Sequence, residues 1–349
     1  MGPLSAPGWS VGPTDEESVW LPVEDVSAVA AARRRATALA EPLGFEPDRL
    51  AQIALAASEA ASNLHKHARD GTMTLRVTRA GGVPAIELVC IDKGPGMSDV
   101  PRSLRDGYST SGTLGIGLGA INRLADRSDL HSVPGRGSVL TAAFAVQDEP
   151  AEPAPDLPYA GLTRPIRGEQ ICGDAYAVHY SGDRVLALLC DGLGHGPLAA
   201  TASQEAVRAV READPDASPV ELLRLVHRRL RPTRGGAVAV AAIDFAARTV
   251  RFAGLGNVAG WVVGPDARRG MISVPGIAGH QARTFREYSY DLPAGGAVVL
   301  HSDGLTDRWK TADTPGLLAR APLVVAAVLL RDAGVRQDDR SIVVIKEAG

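Results

Sequence analysis

A break near the middle of this chain constrains its folding most. Residues 147–158, QDEPAEPAPDLP, alternate prolines with acids and offer little apolar surface to bury. Proline fixes φ and lacks the N–H that helices and sheets need, so the run reads as an extended, semi-rigid linker. A chain of 349 residues interrupted there is expected to form two domains of ordinary size, over 19–146 and 159–349. Residues 1–18 are rich in Gly, Pro and Ser and read as a flexible tail. The hydrophobic fraction of 45% supplies a core for both domains.

Lys and Arg number 37 against 40 Asp and Glu, a net charge of -3. That balance disfavours a nucleic-acid partner, which normally meets a basic excess. Cys90, Cys172 and Cys190 stand at unrelated spacings, with no CxxC pair to frame a zinc site or disulfide. Cys90 and Cys190 close apolar runs and read as buried thiols. The N-terminus lacks a basic and apolar leader, and no run of about 18 apolar residues reads as a membrane span. The expected setting is the cytoplasm, without membrane contact.

In the first half, 26–40 and 48–68 carry helical spacing, and 72–79, 85–91, 129–133 and 138–146 read as strands. A helix is expected near 117–126. This order predicts a mixed sheet with helices on one face, an α/β sandwich. Four short segments stand out. Glu59 and Asn63, four apart, share one helical face, where a carboxylate could meet a hydroxyl and an amide oxygen could meet Mg²⁺. Asp92-Lys-Gly94-Pro-Gly96 follows a strand, where an Asp can accept from an adenine amino group; an ordinary turn is the alternative. Gly112, Gly115, Gly117 and Gly119 lead into a helix whose N–H groups could cradle phosphates. Gly135-Arg-Gly137-Ser138 lies between the last two strands and could be a simple hairpin turn.

In this order and spacing, the four segments resemble the four boxes of the GHKL ATPase superfamily. DKGPGM at 92–97 and LGIGLGAINRLAD at 114–126 are most similar to its RsbT switch-kinase branch. The resemblance covers about residues 19–146. It implies Glu59 as catalytic base, Asn63 as Mg²⁺ ligand, Asp92 as adenine reader and the glycines of 112–119 as an ATP lid. Gly94, Gly96 and Ser138 complete the implied ATP site, Ser138 standing where the family often has Thr. A sensor histidine kinase shares such a site but needs a helical hairpin with a phospho-accepting His. The residues before Trp20 are expected to be too few for one, and His65 and His67 read as helix-surface residues.

In the second half, a hairpin is expected over 174–190, then two helices, several strands, a late helix at 323–333 and a closing strand at 341–346. Acidic residues beside glycine recur at strand ends: Gly173-Asp174, Asp191-Gly192 and Asp303-Gly304. Asp338-Asp339 precedes the closing strand. Any one is an ordinary turn. Together, carboxylates at neighbouring strand ends repel unless a cation sits between them, and oxygen ligands suit Mg²⁺ or Mn²⁺.

CGD at 172–174, CDGLGHG at 190–196, SDGLTD at 302–307 and DDRS at 338–341 resemble the SpoIIE-type members of the type 2C metal-dependent phosphatases, in particular the RsbX branch. The resemblance covers about 159–349. It implies a β-sandwich flanked by helices with two metal ions at one end, held by Asp174, Asp191, Asp303 and Asp338 and the Gly192 carbonyl. Asp339 stands where relatives have Asp or Asn, and Cys172 where many have Gly or Ser. Cys172 reads as a packing residue, and His195 as part of a flexible loop, with a proton-transfer role beside the metal loop as the alternative. Eukaryotic relatives bind substrate phosphate with a basic residue, for which Arg164 and Arg167 are candidates.

The two resemblances together imply a bifunctional regulator of sigma-factor control, using ATP with one Mg²⁺ and two Mg²⁺ or Mn²⁺ ions. The implied partner is a STAS-domain anti-anti-sigma or stressosome-like phosphoprotein, with a sigma factor or anti-sigma factor as a further partner. The rival readings are a domain that senses ATP or holds a sigma factor, and a phosphatase of small phosphoesters.

Overall fold

The computed structural model describes residues 8–13, 17–80, 83–103, 117–146, 157–335 and 337–347. The chain divides into two compact units, Pro13–Pro155 and Asp156–Gly349, the latter taking in Met1–Gly12. Among the described residues, no helix is long and apolar enough to cross a membrane. The expected linker falls mostly in 147–156, outside the described residues.

The segment expected as a tail is partly structured. Strand β1, Gly8–Val11, pairs antiparallel with a strand of the second unit at residues 177–180. Trp9 meets His179 edge-on at 5.2 Å, and the Ser10 hydroxyl lies 2.6 Å from that of Tyr159. Trp and Val suit a half-buried pleat, so Gly and Pro around them mark the ends of a short strand rather than a loose end.

The first unit holds β2 (Ser18–Pro22), α1 (Ser27–Ala40), α2 (Pro47–His67), β3 (Thr72–Ala80), β4 (Val83–Ile91), the short α3 (Val100–Ser103), α4 (Gly117–Leu124), β5 (Arg127–Val133) and β6 (Gly137–Ala145). Its sheet runs β2-β3-β4-β6-β5. Every pair is antiparallel, where a mixed sheet was expected. The reason is that β6 inserts between β4 and β5, so the two strands that run the same way never touch. Helix α2 opens with Pro47 and Asp48 and closes with His65, Lys66 and His67, both favourable to its dipole. Its buried stripe, Ile53, Ala56, Ala57, Ala60 and Leu64, packs with Met73, Leu75, Ile86, Leu88 and Phe144 of the sheet. The small alanines let the helix lie close to the strands, and Asn63 meets Gly117 at the start of α4.

The second unit contains β7 (Tyr159–Arg164), β8 (Asp174–Ser181), β9 (Arg184–Gly192), α5 (Pro197–Arg211), α6 (Pro219–Arg229), β10 (Gly236–Asp244), β11 (Thr249–Leu255), β12 (Ala259–Val263), β13 (Arg268–Met271), β14 (Ser273–Val274), β15 (Tyr288–Asp291), β16 (Ala297–His301), α7 (Pro322–Ala333) and β17 (Arg340–Lys346). One sheet runs β1-β8-β9-β10-β11-β14, with β15 also on β11; the other runs β13-β12-β16-β17-β7. Val178, Leu189, Val250 and Phe252 of the first meet Val298, Leu300, Val343 and Ile345 of the second in one core. Helices α5 and α6 bury Ala202, Ala206, Val210, Leu222 and Val226 against the first sheet. Helix α7 lies on β7 and β17. The result is a helix–sheet–sheet–helix sandwich, the architecture implied by the second resemblance.

Candidate functional site

The second unit brings its acidic strand ends together. Asp174 starts β8 and is the direct register partner of Asp191 near the end of β9. Asp303 follows β16, and Asp338 precedes β17, which is paired to β16. Asp174 is 4% exposed and its Oδ2 has no hydrogen-bond partner. Burial pushes its carboxyl up to about 7, the nearby Ser302 and Ser341 hydroxyls pull it back, and the charges of Asp339 and Asp303 push it up again. Asp191 is pushed up to about 10, first by burial, then by the charges of Asp174, Asp303 and Asp338. Asp303 is raised by burial and by Asp338. Asp174, Asp191 and Asp303 thus resist ionising together, as carboxylates do where a cation would complete the site. Among the described residues, no three acidic, His or Cys side chains already stand in ligating geometry. The chemistry fits a hard divalent ion: oxygen donors only, one of them buried and unpaired.

Glycines give the cluster its closeness. A Cβ on Gly173 would sit 2.8 Å from Ala199 Cβ and from Asp339 Oδ2, and one on Gly192 would strike the Ala199 carbonyl. The Gly192 N–H donates to the Gly173 carbonyl at 3.2 Å, locking the two loops together.

Of the neighbours of this cluster, Asn257 was missed by reading the sequence, while Asp339, Cys172 and His195 were noted there. Asp339, 2% exposed, accepts the N–H groups of Ile166 and Gly173, each at 2.7 Å. It straps the loop before Asp174. Asn257 donates its side-chain N–H to Asp303. Its signal was the Gly256-Asn257 step after β11, a polar residue beside glycine at a strand end. The Cys172 thiol is raised well above its ordinary value by burial, then by Asp174 and Asp339; it is a packing group, as expected. His195 is exposed, with Nδ1 3.3 Å from Glu169 Oε1.

The first unit gathers most of the other implied residues. Asp92, 9% exposed, follows β4. Its Oδ1 accepts the Gly94 N–H at 2.6 Å and its Oδ2 the Ser138 N–H at 3.1 Å. Its own N–H donates to the Ser138 carbonyl at 3.0 Å. A Cβ on Gly94 would stand 2.8 Å from Asp92 Oδ1 and 2.9 Å from the His67 carbonyl. Gly137, at φ 83°, packs on the Asp92 backbone, and Gly96, at φ 67°, on the Val133 carbonyl. The Ser138 hydroxyl lies 2.9 Å from that of Ser132.

The Asn63 side-chain amide lies 3.3 Å from where a Cβ on Gly117 would stand. Among the described residues its buried Nδ2, an N–H donor, has no hydrogen-bond partner. Gly117 and Gly119 form the first turn of α4, and Gly119 is buried. Glu59 is half-buried one turn before Asn63, while His65 and His67 are exposed on the helix surface. Gly112 and Gly115 lie outside the described residues. Thus Asp92, Gly94 and Ser138 form one cluster, and Asn63 with Gly117 another along α2.

The family model for a histidine kinase-like ATPase domain matches residues 23–144, and that for stage II sporulation protein E (SpoIIE) matches 181–346. The chain is 36% identical to the serine/threonine-protein kinase RsbT of Bacillus subtilis (strain 168) over 114 residues, 33% of this chain and 86% of that protein. It is 22% identical over 139 residues to the phosphoserine phosphatase RsbX of the same organism, 40% of this chain and 69% of that protein. A solved structure described as belonging to the bacterial stressosome is 27% identical, spanning 54% of this chain and 98% of its own, with a TM-score of 0.49.

Proposed function

Because this chain belongs to the RsbT family of histidine kinase-like ATPase domains across its first domain, and carries a SpoIIE-type phosphatase domain after it, we propose that it sets the phosphorylation of a serine or threonine on a partner protein from both directions. The second domain removes the phosphate and the first adds it. The partner is a STAS-domain or stressosome-like phosphoprotein in sigma-factor control, a class supported by the similarity to RsbT and RsbX.

The observation that carries this reading is the gathering of Asp174, Asp191, Asp303 and Asp338 at adjoining strand ends, with Asp174 directly opposite Asp191 in the ladder. These carboxylates, with the Gly192 carbonyl, would hold a pair of divalent ions. When bound, such ions make a water nucleophilic at neutral pH and offset the negative charge of the phosphate. Asn257 keeps Asp303 oriented and Asp339 holds the loop that carries Asp174. The close glycines leave the strand ends open for a phosphorylated side chain.

In the first domain, Asn63, beside Gly117, would hold the Mg²⁺ that accompanies ATP through its amide oxygen. Asp92 reads the adenine amino group. The Gly94 and Ser138 N–H groups hold its carboxylate in place for that contact. The N–H groups at the start of α4 would be the donors for the phosphates, and Glu59 would take the proton of the incoming hydroxyl. Phosphoryl transfer asks mainly for positioning and charge neutralisation, and these groups supply both.

Incubation of the chain with a phosphorylated STAS protein in Mn²⁺, and with the unphosphorylated form and labelled ATP, tests both directions. Loss of label in the first reaction and gain in the second are expected. Glu59→Ala should abolish the gain while ATP binding persists. Hydrolysis of small phosphoesters but not of the phosphoprotein, or binding of ATP with no transfer by the wild type, would refute the corresponding half.

A further inference from the structure

The loop at 192–196 has a neighbour that neither resemblance singled out. The Leu193 N–H donates to the Gly235 carbonyl at 3.0 Å, and the Gly235 N–H to the Thr233 hydroxyl at 3.0 Å. Gly235 has φ 75°, and a Cβ there would collide with the Ala278 carbonyl. The His280 Nε2 lies 3.1 Å from the Thr233 carbonyl. Residues 233–235 are thus a fixed turn, and exposed Arg234 stands on it.

The turn sits beside the carboxylate cluster. Two residues on, Gly236 is the register partner of Gly192, and Ala237 that of Asp191. Arg234 Nη1 lies 3.3 Å from where a Cβ on Gly194 would stand. The Gly194 carbonyl in turn lies 3.4 Å from the Cβ position of Gly173, the residue before Asp174. Among the described residues, Arg234 makes no ion pair, and the loop it lies against follows directly on Asp191. A cation carried there on a hydrogen-bonded turn, and left without an ion pair, suits a ligand that brings its own negative charge. A guanidinium offers two parallel N–H donors to two oxygens of a phosphate. The two arginines singled out earlier are placed less well. Arg164 is half-buried opposite Arg340, and Arg167 is exposed on the loop after β7.

We propose that Arg234 is a substrate-binding residue that grips the phosphate of a phosphomonoester from the side of the 192–196 loop. This rests on the phosphatase reading of the second domain but is tested apart from it. Inorganic phosphate is titrated calorimetrically into the full Mn²⁺-loaded chain, as wild type, Arg234→Ala and Arg234→Lys.

The expected result is phosphate binding weakened about tenfold in Arg234→Ala, the loss of one charge-assisted contact. Arg234→Lys should be intermediate, since the ammonium keeps the charge without the fork. The KM for p-nitrophenyl phosphate should rise by the same factor with kcat changed less, and Mn²⁺ affinity should hold. Phosphate affinity and KM of Arg234→Ala within twofold of wild type would overturn the proposal. So would an equal loss of Mn²⁺ affinity, which would make Arg234 a structural prop. A wild type that binds phosphate through Arg234 yet hydrolyses neither p-nitrophenyl phosphate nor a phosphoserine peptide supports this inference and sinks the phosphatase reading alone.

Discussion

Asp92 and Asp191 are both acids that close an apolar strand, and they live in opposite circumstances. Asp92 has a backbone N–H on each oxygen, from Gly94 and Ser138. It is a finished part, fixed in place before any ligand arrives. Asp191 faces Asp174 across the ladder and feels Asp303 and Asp338 as well, so its carboxyl is pushed up to about 10. It is an unfinished part, and the protein holds it in strain until a cation comes. The lesson is that one residue type at one kind of position serves either as a preset reader or as half of a binding site. The difference lies in whether its neighbours donate hydrogen bonds or repel.

The sharpest way to break this contrast is to remove a carboxylate charge from each site. Asp174→Asn or Asp191→Asn should lower Mn²⁺-dependent hydrolysis of p-nitrophenyl phosphate by a hundredfold or more, on the order of what loss of a metal-orienting group causes or beyond. The metal-free protein should nonetheless melt no lower than wild type, because Asn does not have to take up a proton on folding as these raised carboxyls do. A metal-free melting point clearly below wild type would mean the acids are structural and the contrast is false.

Asp92→Ala should behave in the reverse way. It leaves the Gly94 and Ser138 N–H groups without their acceptor in a buried setting, at about 1–3 kcal/mol for each orphaned group. A melting point several degrees lower is expected even without nucleotide, together with loss of ATP binding by calorimetry. Unchanged stability would show that Asp92 is not preset.

How much of this was legible beforehand follows the same divide. The strand-end acids, the glycines beside them and the four nucleotide-site segments are local, so the sequence displays them directly. The two-layer sandwich follows from apolar strands between helical runs, and the structure contains it. What was hidden depends on partners far away in the chain. Strand β1 looks like a loose end until Trp9 finds His179 and Ser10 finds Tyr159. The first sheet was expected to be mixed because nothing local says that β6 inserts between β4 and β5. Asp339 reads as one more acid until its oxygens meet the N–H groups of Ile166 and Gly173, and Arg234 reads as one more surface cation until Gly194 is seen beneath it.

The smallest effect expected is also the most direct test of repulsion, and it needs no activity. Asp174 and Asp191 have folded carboxyl values of about 7 and about 10, against an ordinary 3.8. A raised folded value means the folded state holds protons that the unfolded chain has released. Stability from these groups is therefore full below about pH 4 and falls as pH rises through 7 and beyond. Metal-free protein should melt lower at pH 8 than at pH 5.5, by roughly 2–4 °C for each kcal/mol lost in a domain of this size. Mn²⁺ requires the deprotonated ligands, so saturating metal should remove or invert that slope. Asp191→Asn should flatten the metal-free slope, whereas Asp92→Ala should shift the whole curve down and leave its slope intact. A metal-free melting point that rises from pH 5.5 to 8 would show that the cluster's charges are already neutralised within the chain, and the contrast with Asp92 would disappear.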